Sequence, residues 1–463
     1  MSPNLIFSAT FRVFRQVPWL PMGILAVGLV VAPQAVWPEP PGAPSAILLP
    51  SVTVLAAGDL LGEITPCGCV GKQLGGLPRR LTAVEQARKH TPGLVVVDLG
   101  NNFPPPTSQG RLKAALIQPL LARTRPAAVL PGPNELAYGL NALDKQLPYV
   151  ASNNSLGKAL RKDVTVRTPA GLLGIYGYLS PQAGFQQFAA GYRLEPADPR
   201  LLDDWKARSA AAKHQIRILL FRGSEEELAL FTRSGFFHLI LSGNPFTDEL
   251  NQVTERKSAG VVWPQVPTKG QGFQQVRVTP GSPAVQASLL WLDDTLADHP
   301  AAKDPFNRYD TQVKAQFFAR LNTQKNLEKN SPYAGAEACR ACHPAQVEAW
   351  ENSAHAQALA ALSAVGKNFD GECLACHVAG WERGGFLSAD LTPKLAGVQC
   401  ENCHGPARAH AATPTTSGLK TAGSLNPPQQ VCAQCHVGAH SPQFEFGAYW
   451  PKIAHPVSPP TSN

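Results

Sequence analysis

The pattern C-x-x-C-H occurs four times in the last third of this chain of 463 residues. Two thiols at this spacing can add across the two vinyl groups of one haem, and the next histidine then lies against the iron as its proximal ligand. A pair of C-x-x-C zinc sites is the alternative, but zinc sites do not require a histidine after every pair of cysteines. We therefore predict four haem c groups, attached by Cys339, Cys342, Cys373, Cys376, Cys400, Cys403, Cys432 and Cys435, with the proximal ligands His343, His377, His404 and His436.

The remaining histidines decide how the second axial position of each iron is filled. Iron with one imidazole keeps an open site for small molecules, whereas iron with two imidazoles is suited to moving electrons. Four further histidines follow residue 330, the number that four haems with two imidazoles each require. The candidates for distal ligation are His355, His410, His440 and His455.

The net charge of +8 is unevenly divided along the chain. Of 41 basic and 33 acidic side chains, 7 and 9 lie from Ser331 onward, which leaves +10 for the preceding residues. Haem propionates would make the C-terminal region more acidic still. The chain has no Lys/Arg run or basic–aromatic stripe, so we expect no nucleic-acid partner.

The N-terminus has the layout of an export signal. Arg12 and Arg15 precede an apolar run, Val17–Val36, so residues 1–36 read as a signal peptide, or alternatively as an uncleaved membrane anchor. Residues 37–50 are Pro-rich and read as a tether. Since haem is attached to c-type apoproteins outside the cytoplasm, we expect a periplasmic protein or one on the extracellular face of the membrane.

Residues 51–305 alternate short apolar runs with helix-like stretches, a pattern that predicts an α/β domain. Three later runs, Gly260–Trp263, Phe273–Val278 and Ser288–Trp291, have no helices between them and predict the antiparallel finish of a second sheet. An amphipathic stretch within 306–330 predicts a helical connector. Residues 331–463 then form the haem domain, expected to be mainly helical and irregular and to take its core from four porphyrins.

Several short segments of 51–280 resemble the calcineurin-like metallophosphoesterase domain of periplasmic 5′-nucleotidases. The resemblance implies a sandwich of two sheets flanked by helices, with two metal ions at the strand ends. The segments that carry it are Asp59-Leu-Leu-Gly, Gly75-Gly-Leu-Pro-Arg-Arg80, Asp98-Leu-Gly-Asn-Asn, Gly132-Pro-Asn-Glu-Leu-Ala-Tyr-Gly139 and Ser242-Gly-Asn-Pro-Phe.

The residues that would hold the metals are largely replaced. Asp59 and Asn134 match the family pattern, but the family's other ligand positions carry different residues. Hydrolysis with two metals needs imidazoles and carboxylates that converge on both ions, so we expect no phosphatase activity. The departures are Leu61, Asn101, Glu135, Asn244 and Phe246, with Arg222-Gly where a histidine is expected.

Cys67 and Cys69 are the two cysteines outside the haem motifs. A disulfide across one residue would be strained. An exposed thiol pair, a metal or persulfide site and simple structural packing all remain open for them.

The C-terminal motifs resemble tetrahaem cytochromes c that accept electrons from hydroxylamine oxidoreductase. The matching segments are Tyr333–Pro344, Glu348–His355 and Val398–His410. The resemblance implies distal ligation by His355 and His410, and implies that one haem can lack a distal ligand. His440 and His455 rest on the count of histidines.

These features predict an electron-transfer protein with mostly bis-histidine haems, whose inactive phosphoesterase-like module docks it to a redox partner protein or a membrane complex. Self-association is also open. The alternative is a redox enzyme with one open haem that acts on a small nitrogen or sulfur oxide. We expect an electron carrier rather than an enzyme.

Overall fold

The computed structural model describes residues 50–67, 73–156, 159–182, 192–243, 255–258, 261–264, 266–280, 286–324, 330–413, 429–437, 441 and 443–455. The chain divides into two compact units, Met1–Leu48 and Leu49–Asn463, and every described residue belongs to the second. The predicted signal peptide or anchor, and the tether apart from Pro50, lie outside the described residues. The domain limits at 305 and 331 stay predictions.

The first sheet has five strands, which are β1 (Val52–Ala57), β4 (Val95–Asp98), β5 (Ala128–Val129), β12 (Gly272–Val278) and β13 (Gln286–Trp291). Their spatial order is β13-β12-β1-β4-β5. β1, β4 and β5 are parallel, and β12 and β13 are antiparallel to their neighbours. The prediction that the last strands finish a second sheet is therefore wrong, because β12 pairs directly with β1.

The second sheet has four strands, which are β6 (Val164–Thr168), β7 (Gly171–Leu179), β8 (Ile216–Arg222) and β9 (Leu239–Ser242), in that order. β7, β8 and β9 are parallel, and β6 joins β7 as an antiparallel hairpin. Two short antiparallel pairs complete the described strands, β2 (Pro66–Cys67) with β3 (Leu74–Gly75) and β10 (Glu255–Ser258) with β11 (Val261–Pro264).

The two sheets share one apolar core, and helices cover their outer faces. Successive side chains of a strand point to opposite faces. Val54 of β1 and Ile175 of β7 accordingly belong to the same buried cluster between the sheets. Leu55 packs outward with Val84, and Tyr176 packs outward with Trp205. This arrangement confirms the predicted α/β class.

The helices of this part begin and end where the sequence supplies caps. Asp198 accepts a hydrogen bond from the Leu201 amide at the start of α4, and Ser224 forms a capping box with Glu227 at the start of α5. The helices are α1 (Leu77–His90), α2 (Ser108–Arg123), α3 (Pro133–Ala137), α4 (Pro199–Ala211), α5 (Glu225–Arg233) and α6 (Lys303–Gln324).

The C-terminal region consists of short helices joined by irregular segments, as predicted. Its buried cluster contains Leu374, Phe386 and Leu395, and α6 contributes Phe317 and Leu321 to it. The core of this region is therefore partly supplied by protein side chains from the preceding helix. The helices are α7 (Pro344–Glu351), α8 (Ala358–Ala364), α9 (Gly371–His377), α10 (Cys400–His404), α11 (Arg408–Ala412), α12 (Gln429–Cys432) and α13 (Phe446–Tyr449).

Within the described residues, none of the helices is both long enough and apolar enough to cross a membrane.

Replacement of Phe317 by alanine tests the contribution of α6 to the C-terminal core. The Phe317 side chain is 8% exposed and stacks on Trp381 with ring centroids 6.0 Å apart. We expect Phe317→Ala to lower the free energy of unfolding by about 3 kcal/mol, measured by denaturant titration with circular dichroism. Phe318→Ala is the matched control, because Phe318 is 50% exposed. Equal losses in the two variants would contradict the assignment.

Candidate functional site

The strand ends of the α/β part bring the predicted phosphoesterase motifs together. Asp59 follows β1, Asn101 follows β4, and α3 with Asn134 follows β5. These strands are adjacent and parallel, so their carboxyl ends meet at one edge of the sheet. Asp59, Leu61 and Asn101 have φ values of 48°, 55° and 56°, a left-handed conformation that is uncommon for residues with side chains.

A buried guanidinium occupies the centre of this edge. Arg222 ends β8 in the other sheet, and its side chain is 0% exposed. Its Nη1 donates to Asp59 Oδ1 at 3.0 Å, and its Nη2 donates to the Leu99 carbonyl at 2.7 Å. Asp59, the carboxylate that matched the family's metal ligand, is therefore neutralised by an arginine of this chain.

The neighbouring amides are also engaged with the protein itself. Asn101 Nδ2 donates to Asp59 Oδ1 at 3.0 Å. Asn101 Oδ1 accepts from the Asn134 backbone amide at 3.3 Å, and Asn134 Nδ2 donates to the Phe103 carbonyl at 2.7 Å. These hydrogen bonds tie the segments that contain Asp59, Asn101 and Asn134 into one network of protein groups.

Two further carboxylates are held by internal donors. Asp98 pairs with the buried Arg80. Glu135 accepts hydrogen bonds from the backbone amides of Asn101, Asn102 and Gly132 at 2.7, 2.6 and 2.9 Å. Burial raises the pKa of Glu135, although these hydrogen bonds oppose the rise.

Among the described residues, no three His, Cys, Asp or Glu side chains are arranged to hold a metal ion. Asn244 and Phe246 of the last motif lie outside those residues, as does Cys69. Cys67 ends β2, but its side chain is not among those described. The roles predicted for Cys67 and Cys69 stay open.

The attachment motifs of the C-terminal region use helical spacing. Cys373, Cys376 and His377 lie on α9, and α10 presents the third motif in the same way. Residues three and four positions apart lie on one face of a helix, so both thiols and the imidazole of each motif can face one porphyrin. In the first motif, Cys339 ends a 3-10 turn and His343 is the N-cap of α7.

Protein groups hold the first and third motifs together. The buried Glu401, between the cysteines of the third motif, accepts hydrogen bonds from the amides of Ala334 and Gly335 at 3.0 and 2.8 Å. Gln399 Oε1 accepts from the Ala336 amide at 2.8 Å. Cys400 raises the pKa of the Cys339 thiol and Cys376 raises that of Cys435, so the two thiols of each pair lie close together.

Two pairs of imidazoles have the spacing of axial ligands. Ring centroids are 6.2 Å apart for His355 and His436 and 6.0 Å apart for His404 and His455. An imidazole nitrogen lies about 2.0 Å from a metal that it ligates, so two imidazoles on opposite sides of one metal place their centroids roughly 6 Å apart. The histidines present therefore fit an iron between each pair.

Surrounding groups keep some of these imidazoles in the ligating form. Burial lowers the pKa of His355, with a smaller effect of His436, and burial also lowers the pKa of His436. Neutral imidazole is the form that ligates metals. His377 Nδ1 lies 2.7 Å from the Ala358 carbonyl, a hydrogen bond that directs Nε2 toward the metal position.

The structure gives less information on the other two predicted distal ligands, His410 and His440. His410 has a buried Nδ1 without a hydrogen-bond partner among the described groups, and His440 lies outside the described residues. Within the part of the chain that is described, ring pairs of the axial kind involve His404 and His436 but not His343 or His377.

The paired thiols and imidazoles of the C-terminal region are typical of multihaem c-type cytochromes. Residues 338–405 match the family "Cytochrome c554 and c-prime", and three of the four attachment motifs lie within them. The region is also similar to cytochrome c-554 of Nitrosomonas europaea, at 28% identity over 177 residues, 32% of this chain and 72% of that protein. The predicted resemblance is confirmed, and the family carries covalently bound haem c.

The solved structures that the chain is similar to include phosphoesterases. One is a 5′-nucleotidase precursor from Thermus thermophilus, with a TM-score of 0.49, 17% identity and coverage of 57% of this chain and 59% of that one. Another is the calcineurin-like phosphoesterase YfkN from Bacillus subtilis, with a TM-score of 0.43, 13% identity and coverage of 57% and 98%. This chain thus spans well under two thirds of the nucleotidase.

Substitution of Arg222 tests whether its ion pair with Asp59 stabilises the strand-end site. Removal of one partner from a buried ion pair leaves an uncompensated charge, so we expect Arg222→Ala to lower the free energy of unfolding by about 3–5 kcal/mol. The double variant with Asp59→Leu and Arg222→Met should recover most of that loss.

Denaturant titration of both variants measures these changes. Lys206→Ala is the control, because Lys206 is 47% exposed where it pairs with Asp203, and it should cost no more than about 1 kcal/mol. An Arg222→Ala protein as stable as the control would show that the pair does not stabilise this edge.

Proposed function

We propose that the protein is an exported electron carrier with four haem c groups, most of them held by two histidines. The observation that carries the proposal is the spacing of about 6 Å between the rings of His355 and His436 and of His404 and His455. Two imidazoles close both axial positions of an iron, which favours electron transfer over binding of small molecules.

The protein groups have distinct tasks in this function. The two cysteines of each motif would hold one haem through thioether bonds, each formed by addition of an S–H across a vinyl C=C bond. Bound haem c supplies the reversible one-electron change of iron. The Ala358 carbonyl orients His377, and the ring of Phe444, stacked 4.6 Å from His436, shields that imidazole from water.

The thiol contacts suggest how electrons pass through the region. Each haem would be bound through the sulfurs of its motif, so the closeness of Cys339 and Cys400 would hold the first and third haems near each other. Contact between Cys376 and Cys435 does the same for the second and fourth. We infer two close haem pairs, within which transfer is short-range.

We infer that the α/β module is inactive as a phosphoesterase and binds a partner. The Arg222 guanidinium beside Asp59 supports the first inference. A cleft of about 490 Å³ between the ends of α1 and α2 supports the second, because four cations, Arg88, Lys89, Arg123 and Arg125, line it beside a single acid, Glu85. An acidic face on a redox protein or membrane complex fits it.

The second candidate function is a redox enzyme with one open haem that acts on a small nitrogen or sulfur oxide. The first and second attachment motifs favour it. Among the described residues, neither His343 nor His377 has a second imidazole about 6 Å away that could serve as the other axial ligand. A large high-spin fraction that binds carbon monoxide in the native protein would support it.

A haem count and a spin-state spectrum of the mature protein test the main proposal. We expect four haems per chain and predominantly low-spin iron, because two imidazoles hold most irons. His355→Ala and His455→Ala should each convert about one haem of the four to a high-spin form that binds carbon monoxide. His299→Ala, in the α/β module, is the control and should leave the spectrum unchanged. Low-spin spectra in both ligand variants would refute the pairing, and a colourless protein would refute the function.

Phosphate release tests the inactivity of the α/β module. We expect no hydrolysis of 5′-nucleotides in the presence of Mn²⁺ or Zn²⁺, because an arginine of the chain neutralises Asp59 at the strand-end site. The measurement is inorganic phosphate over time, with an active 5′-nucleotidase as positive control. Metal-dependent release that persists in the Asp59→Asn protein would indicate a contaminant, whereas release abolished by Asp59→Asn would contradict the inference.

A further inference from the structure

The N-cap residue of the second haem-attachment helix accepts a hydrogen bond from a residue of the α/β module. Asp370, the N-cap of α9, accepts a hydrogen bond from the Glu372 amide at 3.1 Å. The same carboxylate oxygen accepts from Nε2 of Gln109, at the start of α2, at 2.6 Å. Gln109 Nε2 also lies 3.1 Å from the Tyr309 hydroxyl on α6. One amide therefore joins α2, α6 and α9.

The start of α9 packs closely against these elements. A Cβ atom added to Gly371 would lie 3.3 Å from Gln109 Oε1 and 3.4 Å from the Trp381 ring. Glycine at this position thus permits the close contact between α9 and the α/β module.

Ion pairs also join α9 and the segment before it to α2 and α6. Lys113 of α2 forms a close ion pair with Glu372 of α9, and the Lys113 side chain is only 12% exposed. Lys367, shortly before α9, donates to Asp310 of α6 at 2.5 Å. Partly buried pairs of this kind are less screened by solvent than surface pairs.

Aromatic packing fixes the other side of the helix. Trp381 stacks on Phe317 of α6 with an interplanar angle of 14°, and the Arg320 guanidinium lies 3.9 Å from the centroid of the Trp381 ring. Trp381 and Cys373, the first attachment cysteine of this motif, pack against the same buried cluster. The α6 contacts therefore extend to the attachment site itself.

Contacts with the rest of the protein must determine the orientation of α9, because a helix of 7 residues has little stability of its own. His377 is its last residue, about 10 Å along the axis from the cap at Asp370. A small tilt at the cap therefore displaces both attachment cysteines and the imidazole of His377.

We propose that Gln109 is a positioning residue for the second haem: through Asp370 it fixes α9, and with it the orientation of His377, while the Lys113 ammonium raises the reduction potential of that haem. This inference rests on the proposed electron-transfer function. It gives the α/β module a role inside the molecule, in addition to any partner it binds. A cation near a haem favours the reduced state, because reduction lowers the positive charge of the iron.

The test uses the full-length, haem-loaded protein and a potentiometric titration followed by optical and EPR spectra. Gln109→Leu removes the amide donor while keeping much of the side-chain volume. We expect the midpoint potential and the low-spin EPR signal of one haem to change, with the other haems unaltered. The matched control is Gln118→Leu on the same helix, whose amide bonds Ala142 and Asp144 within the α/β module. The control should leave every haem unchanged.

A charge variant addresses the potential separately from the geometry. Lys113→Gln should shift the potential of that same haem to more negative values, whereas Lys206→Gln, which removes an exposed lysine of α4 paired with Asp203, should shift none. Identical titrations for wild type, Gln109→Leu and Lys113→Gln would overturn the proposal, and so would equal changes in the Gln118→Leu control. A wild-type protein without haem would instead refute the proposed function, which keeps the two failures distinguishable.

Discussion

The distance of about 6 Å between facing imidazoles is the constraint on which the C-terminal region depends. His355 and His436 are far apart in sequence, yet their rings lie 6.2 Å from each other. The local helices are too short to bring them together, so long-range contacts must do so. Glu401 makes a long-range contact of this kind elsewhere in the region, because its carboxylate ties the third attachment motif to the segment that precedes the first. A metal held from two sides needs a protein frame that fixes both sides.

In the α/β module, an ion pair between protein side chains lies at the strand ends. Its strand ends meet as they would around metal ions, but Arg222 crosses from the second sheet to Asp59 of the first. A permanent positive charge thereby stands where the family pattern predicts metal ligands, and the two sheets are joined by an ion pair inside the protein. Residues in the left-handed conformation remain at this edge, at Asp59, Leu61 and Asn101.

The sequence predicted the local elements and the chemistry of the attachment motifs, because both depend on neighbours along the chain. The predicted apolar runs within 51–305 include the strand β7, and the helix-like stretches include α5, which follows the capping residue Ser224. The placement of β12 beside β1 could not be read from the chain, since pairing between distant strands leaves no local signal. The pairing of His355 with His436 and the tie made by Glu401 were missed for the same reason. The replacement of a histidine by Arg222 was visible in the sequence, but its contact with Asp59 was not.

The position of α6 has a consequence for how the protein is made. Gln109, Phe317 and Arg320 all precede every attachment cysteine in the chain, so they leave the ribosome before the segment that they contact. Domains fold in this order during synthesis, which allows α2 and α6 to be in place when the later segments arrive. The folded α/β module is then available for contact when the C-terminal region folds. A cytochrome region produced from residue 331 onward would begin without it, and the apolar face normally covered by Phe317 and Leu321 would be open to water and to aggregation.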